Sequence, residues 1–288
     1  MISDSVIRAM SGDRAFRLVC ARTTDTARAV AAAQAASGSS AALLGELVTG
    51  AVLVRQAMAP DLRVQVVVQA ADGRSSLVAD AHPDGTCRGL ARVAATPRFT
   101  LGAGARIQVM RTLPGGKIHQ GVVEIPEEGS ISGALMAYMQ ESEQIVSVIA
   151  VGAPLTNRGA SRDGAIGAAG GYLVQPLPEM ERGSLQIMTE RLSGLRSIEE
   201  LLADPATSAE SLLHDIVEDT PYWMIDEAPL SFGCTCSAER LRASLATIGR
   251  SDLEAMIDEG KPVEIRCEFC GKDYVIALDE LRAMLPAR

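Results

Sequence analysis

The chain has 288 residues, enough for one large domain and a small one, and 47% are hydrophobic against 22% charged, so a substantial core can form. Aromatics make up only 3%, which leaves Ala, Val, Leu and Ile to fill that core. The formal charge is -9, an acidic balance that repels phosphate backbones and sets nucleic acid aside as a partner.

In chain order, the opening MISDSVIRAM lacks the basic start and apolar stretch of a signal peptide. Thr24 to Ala36 is Ala-rich with an early Asp25, which is helix composition. Ser39 or Ser40 is placed to cap a second helix through Leu43, Leu44, Leu47 and Val48. The most apolar stretch, Ala41 to Met58, carries Glu46 and Arg55 and reads as too short and too charged to cross a bilayer. The expectation is a soluble, cytoplasmic protein with no membrane partner. From Arg63 the period changes. Arg63–Gln69 is β-branched and partly alternating, an Ala71-Asp72-Gly73-Arg74 turn leads to Ser76–Asp80, and His82-Pro83-Asp84-Gly85 leads to Gly89–Val93. That is the signature of a β-meander. Ala105–Met110 and His119–Ile125 flank Pro114-Gly115-Gly116 as a further hairpin. Ser130 to Glu143 reads as a helix with Leu135, Met136 and Met139 on one face, and Val146–Val151 and Gly171–Gln175 as strands. Strands follow strands with helices set apart, so residues 1–176 are expected to form an α+β core, a mixed sheet with packed helices.

Beyond it the composition shifts. Residues 177–233 hold twelve acids against three bases, a surplus equal to the net charge of the whole chain. Helical apolar spacing persists in Leu192, Leu195, Ile198, Leu201 and Leu202, and again in Leu212, Leu213 and Ile216. Such helices stand only when the apolar face is covered, and like charges oppose compaction. Residues 177–230 therefore read as an acidic helical linker of marginal stability, with an ordinary acidic helical subdomain as the alternative. Residues 231–288 read as a small zinc-binding domain. Ser251-Asp-Leu-Glu254 has the pattern of a capping box, Gly260 and Pro262 end that helix, and Val263–Arg266 and Tyr274–Ile276 flank a tight CEFCG knuckle.

Four of the six cysteines fall in this last segment, as Cys234-Thr-Cys236 and Cys267-Glu-Phe-Cys270, thirty residues apart. A secreted disulfide scaffold would be shorter and would spread its cysteines. Zn²⁺ takes four tetrahedral ligands, and thiolate is a common structural donor. A CxxC turn aims two sulfurs at one point. In an extended CxC, residues i and i+2 face one side and can grip the same ion. Cys234, Cys236, Cys267 and Cys270 are thus the expected ligands of one Zn²⁺ per chain. His82, His119 and His214 are scattered without ligand spacing, and Cys20 and Cys87 read as small buried hydrophobes.

On spacing alone, permanent structural zinc leads over a redox sensor. Three features favour the sensor. Bound thiolates are the oxidisable form. Each pair is able to close a local disulfide, and across CxC the extended Cα atoms lie about 7 Å apart, at the limit of about 6.8 Å that a disulfide tolerates, so oxidation would bend the backbone. A segment this small also has little core of its own, and zinc binding worth about 10–16 kcal/mol rivals a whole domain's stability. Of the alternatives, a zinc-ribbon nucleic-acid module with permanent zinc has Arg240, Arg242, Arg250, Arg266 and Lys272 to offer, but acids surround them. A zinc hydrolase needs an open ligand position, which four cysteines close.

Phe232-Gly-Cys-Thr-Cys-Ser-Ala-Glu-Arg240 with Cys267-Glu-Phe-Cys-Gly-Lys-Asp-Tyr274 resembles the zinc centre of the redox-regulated 33 kDa heat-shock chaperone (33 kDa chaperonin) family. The likeness runs through Gly89–Val93, His119–Ile125, Tyr138–Gln144 and Ala168–Pro176, in the expected order and over nearly the whole chain. His119 stands where the family is expected to have an aromatic residue, and Met139-Gln140 where it often has Phe or basic residues; neither touches the cysteine motif. The resemblance implies a non-enzymatic, ATP-independent holdase that protects unfolding client proteins. It implies that the reduced, zinc-bound form is inactive. Peroxide with mild heat, or hypochlorous acid, would form the Cys234–Cys236 and Cys267–Cys270 disulfides, expel zinc, unfold the zinc domain and linker, and give an active form, often a homodimer. The absence of a GxxxxGK[ST] loop agrees with independence from ATP.

Overall fold

The computed structural model describes residues 2–58, 60–93, 99–127, 129–156, 164–178 and 181–285. Glu179, one of the linker acids, and residues 286–288, the end of the expected zinc-binding segment, lie outside the described residues. The chain divides into two compact units, Met1–Gly233 and Cys234–Arg288.

The first unit opens with β1 (Ser5–Ser11) and β2 (Phe16–Arg22), then α1 (Thr24–Ala33) and α2 (Gly38–Met58). The expected meander and hairpin follow as β3 (Val64–Gln69), β4 (Ser76–Ala81), β5 (Thr86–Arg92), β6 (Arg106–Thr112) and β7 (Ile118–Glu124). Next come α3 (Ile131–Glu141), β8 (Val148–Gly152), β9 (Gly170–Pro176), α4 (Arg182–Gly194), α5 (Ile198–Leu201), α6 (Ala209–Val217), β10 (Tyr222–Pro229) and β11 (Ser231–Phe232). The architecture is α+β, with the strands in two sheets ordered β10-β1-β2-β9-β8 and β11-β5-β4-β3-β6-β7. All the pairings are antiparallel except β11 with β5.

Helix α2 packs on strands of both sheets. Four consecutive residues, Ala51 to Val54, are fully buried, so the helix is covered on every side. By length and composition it is apolar enough to cross a membrane, yet it is a core helix here, with 78% of its most apolar window buried. Ser39 and Ser40 lie inside its first turn rather than at its cap; Gly38, at φ 54°, opens the helix. Ser130 does cap α3, accepting from the Gly133 N–H at 3.0 Å.

The inner strands β1, β2 and β9 of the five-stranded sheet are buried on both faces, while the edge strand β10 is largely exposed. Val6, Val19, Ala21 and Leu173 join the α2 core. Their neighbours Ile7, Ala9, Leu18, Cys20, Tyr172 and Val174 point the other way, and Met188, Ile198, Leu201, Leu202, Leu212, Leu213, Ile216 and Val217 cover them. The acidic segment after residue 176 therefore finds the apolar surface its helices require. Ser197 and Ser208 close reciprocal caps at the starts of α5 and α6. Part of the segment departs from the helical expectation. Residues 222–229 form the edge strand β10, paired along β1 with a register break between Arg8 and Ala9. Tyr222, Trp223 and Ile225 favour strand, and the open edge of β1 supplies the pairing. Gly85, at φ 82°, lets the chain pass under it, since a Cβ there would meet the Pro229 carbonyl oxygen at 2.2 Å.

The second unit holds α7 (Ala238–Leu245), α8 (Arg250–Asp258), β12 (Val263–Arg266), β13 (Asp273–Ile276) and α9 (Leu278–Met284). Its core cluster is four buried side chains, Leu245, Leu253, Ile276 and Leu281, with a ring of half-buried apolar neighbours. The capping box read at Ser251–Glu254 does not form. Gly249 is the N-cap of α8 with no side-chain cap, and Glu254 instead pairs with Arg250 at 2.8 Å.

Candidate metal centre

The two halves of the cysteine set are built differently. Cys267-Glu-Phe-Cys270 is the turn between β12 and β13, whose register runs Val263↔Ile276 to Arg266↔Asp273. Within it the Cys267 N–H donates to the Lys272 carbonyl at 2.9 Å and the Gly271 N–H to the Cys267 carbonyl at 2.8 Å. Gly271, at φ 71°, makes the reversal. The turn aims backbone N–H groups at sulfur, from Phe269 and Cys270 to Cys267 and from Lys272 to Cys270. Cys234 and Cys236 lie on a stretch outside helix and strand. Ser237 then caps α7 by accepting from the Arg240 N–H at 3.2 Å, and the Arg240 guanidinium donates to the Thr235 carbonyl at 2.9 Å.

All four sulfurs lie within 4.8 Å of one another. Cys234 Sγ is 3.7 Å from Cys267 Sγ, and Cys236 Sγ is 3.4 Å from Cys270 Sγ. A tetrahedron of thiolates at a Zn–S distance of about 2.3 Å has edges of about 3.8 Å, so these separations are those of donors around one small ion. A disulfide would be far shorter, at about 2.05 Å. Among the described residues this is the one group of His, Cys, Asp and Glu side chains placed to share a metal.

The electrostatics point the same way. Burial pushes the Cys267 thiol up, and it pushes Cys270 up to about 12, with the neighbouring sulfurs adding to the rise. Four sulfurs held this close do not ionise together without a cation among them; a divalent ion is what makes all four thiolates at neutral pH. The donor chemistry thus fits a soft, four-coordinate metal.

One further contributor carried no signal in the sequence. The Tyr274 hydroxyl donates to Cys236 Sγ at 3.0 Å, and its ring lies under Lys272 Nζ at 5.2 Å. Cys236 holds the tyrosine proton, and with burial this pushes Tyr274 up to about 12. The contact depends on the β12–β13 register, which spacing does not reveal. The histidines stay apart from the sulfurs. His82 lies 3.6 Å from the buried Asp80, His119 near Arg111, and His214 against Tyr222. Cys20 and Cys87 are buried in the first unit.

Fold and site together define a two-part protein, an α+β body followed by a small four-thiol module placed to hold a metal ion. The family model described as Hsp33 protein matches residues 4–277, and the chain belongs to the Hsp33 family. The 33 kDa chaperonin of Syntrophotalea carbinolica is 28% identical over 294 residues, covering 99% of this chain and all of that protein. That of Streptococcus pyogenes serotype M49 is 38% identical over 157 residues, 54% of this chain and 52% of the relative. In fold, the chain is similar to the crystal structure of the 33 kDa chaperonin from Thermotoga maritima, with a TM-score of 0.82 at 22% identity over 98% of this chain and 97% of that one.

Proposed function

We propose that this chain is a redox-regulated, ATP-independent chaperone of the cytoplasm that holds unfolding client proteins. Its switch is the set Cys234, Cys236, Cys267 and Cys270 with one Zn²⁺. The observation that carries the reading is a mismatch of scale. Four converging sulfurs close a unit whose core cluster, among the described residues, is four buried side chains, and so small a core does not sustain a fold unaided. Bound zinc supplies the positive charge that keeps four thiolates together and ties the segment of Cys234 and Cys236 to the turn of Cys267 and Cys270.

The thiolates are the reactive groups. For each pair, one sulfur attacks a peroxide oxygen, S–O forms as O–O breaks, and hydroxide leaves. The second sulfur then displaces the oxygen to close the disulfide. Two electrons pass from each pair to one peroxide. The local pairing Cys234–Cys236 and Cys267–Cys270 follows from chain entropy. Once the donors are spent and the unit loosens, partners one or two residues apart remain close, whereas those thirty apart separate. Unfolding of residues 231–288 would spread into 177–230, whose apolar helix faces and the sheet face beneath them supply client-binding surface, and two activated chains would pair as a homodimer. Capture of clients on such surface needs no nucleotide.

The test is peroxide treatment of the zinc-loaded chain at raised temperature. The expected result is loss of about one zinc per chain, the two local disulfides by peptide mapping, and suppression of client aggregation without ATP. Oxidised protein that keeps its zinc, or loses it and never protects a client, refutes the proposal.

A further inference from the structure

Cys87 takes no part in the zinc site. It sits in β5 directly opposite Phe232 of β11. Strand β11 is two residues long and forms the end of its sheet. Beside its two-residue ladder with β5, it is held by the Ser231 N–H donating to the Gly85 carbonyl at 3.2 Å and the Gly233 N–H to the Cys87 carbonyl at 2.9 Å, and α1 packs against it. Phe232 packs half-buried against the same core cluster that contains Cys87. Gly233 alone separates this strand from Cys234 in the chain. Loss of order at Cys234 therefore reaches β11 through one residue, and removal of β11 makes β5 the sheet edge.

A second observation singles out this sulfur. Arg55 of α2 is 1% exposed, its Nη1 donates to the Pro60 carbonyl, and its Nε has no hydrogen-bond partner among the described residues. Its charge acts on Cys87. Burial pushes the Cys87 thiol up to about 12, Arg55 pulls it down, and Asp80, Asp84 and Asp4 oppose the pull. Burial is the larger influence, and burial is what β11 helps to supply. For Cys20, in β2, burial is the sole cause raising the thiol, which makes it an internal control.

We propose that Cys87 is a gated oxidation site: β11 shields its sulfur in the closed chain, and peeling β11 from β5 presents it, beside the Arg55 guanidinium, to hydroperoxides. The inference uses the zinc-switch reading for what peels the strand away in the cell, but not for whether the strand is the shield. In the step itself the thiol proton passes to water and the thiolate attacks one peroxide oxygen. S–O forms, O–O breaks and hydroxide leaves. Sulfur gives up two electrons, the peroxide gains two, and a sulfenic acid results.

The test is pulsed iodoacetamide labelling of the full zinc-loaded chain, read by mass spectrometry at Cys87 and Cys20, with zinc content measured in parallel. Ser231→Pro removes the Ser231 N–H and loosens β11 without touching a zinc ligand; Ser231→Ala keeps that N–H. In Ser231→Pro, Cys87 labelling rises by about tenfold, in line with the loss of one backbone hydrogen bond from a locally opening strand, while Cys20 and the zinc content hold. Ser231→Ala behaves as the native chain. After peroxide, Cys87 of Ser231→Pro forms a dimedone adduct and Cys20 does not. Labelling of Cys87 in Ser231→Pro no faster than in the native chain overturns the inference, as does a matched rise at Cys20, which marks general unfolding. Zinc release by peroxide with Cys87 still shielded breaks the gate and leaves the zinc switch standing; zinc retained under peroxide, with Ser231→Pro unmasking Cys87, does the reverse.

Discussion

Leu213→Ala tests whether docking of the acidic segment is the lock on the proposed activity. Leu213 lies in α6 and is fully buried with Leu212, Ile216 and Val217 against Ile7, Phe16 and Leu18 of the five-stranded sheet. Helix α6 has nine residues, too few to stand alone, so this face is what keeps it in place. Truncating a fully buried leucine costs about 3 kcal/mol from lost transfer energy and the cavity left behind. If that cost falls on local undocking, the undocked fraction rises about a hundredfold. The zinc cysteines are untouched, so the metal stays bound. Limited proteolysis of the reduced chain is expected to cut between α4 and α6 roughly a hundred times faster. Light scattering of a heat-unfolding client should show partial protection with no oxidant present. A stability loss under about 1 kcal/mol would mean that α6 is not held as described. A full loss of stability and faster cleavage, with no gain in client protection, would refute docking as the lock.

Tyr274→Phe deletes the hydroxyl that donates to Cys236 at 3.0 Å and about 1 kcal/mol of thiolate stabilisation with it. Zinc should remain bound at rest and leave several-fold faster under peroxide, as followed with a chromogenic chelator; an unchanged or slower rate counts against the contact. Glu46 of α2 is pushed up to about 7, first by burial and then by Glu199 of α5. The folded state therefore favours its proton, so the stability it confers is complete below about 4.5 and fades as pH rises through about 7. Melting of the native chain should lose about 1–2 kcal/mol between acid and alkaline buffers, the group being partly exposed, and Glu46→Gln should flatten that slope. An identical slope in the variant would remove Glu46 as its source.

Legibility in the sequence followed burial. Strands β3 to β6 were readable because turn residues punctuate them and buried side chains recur at near-alternate positions, and β7 because the Pro114-Gly115-Gly116 turn pairs it with β6. Strands β1 and β2 gave no such signal. Phe16, Leu18 and Cys20 face one layer, Val19 and Ala21 the other, and a strand buried on both sides shows a run in place of an alternation. Residues 222–229 carry a strand-favouring start in Tyr222, Trp223 and Ile225, but acids at 226 and 227 and the surrounding helical spacing masked it, and β1 supplies the edge it pairs with. The convergence of the four cysteines was legible, since metal-ligating potential resides in residue type and spacing. Tyr274 was not, because its reach to Cys236 is a matter of register across a hairpin.

Helix α2 has a further consequence during synthesis. It ends at Met58, but β9, whose Leu173 packs in the α2 core, is complete only at Pro176. At the usual pace of translation the ribosome needs about 10 s for that interval. Throughout it, a helix greasy enough for a bilayer sits on a nascent chain with half its wrapping unmade. The nascent chain thus carries, for that interval, an apolar helix face that the finished fold covers.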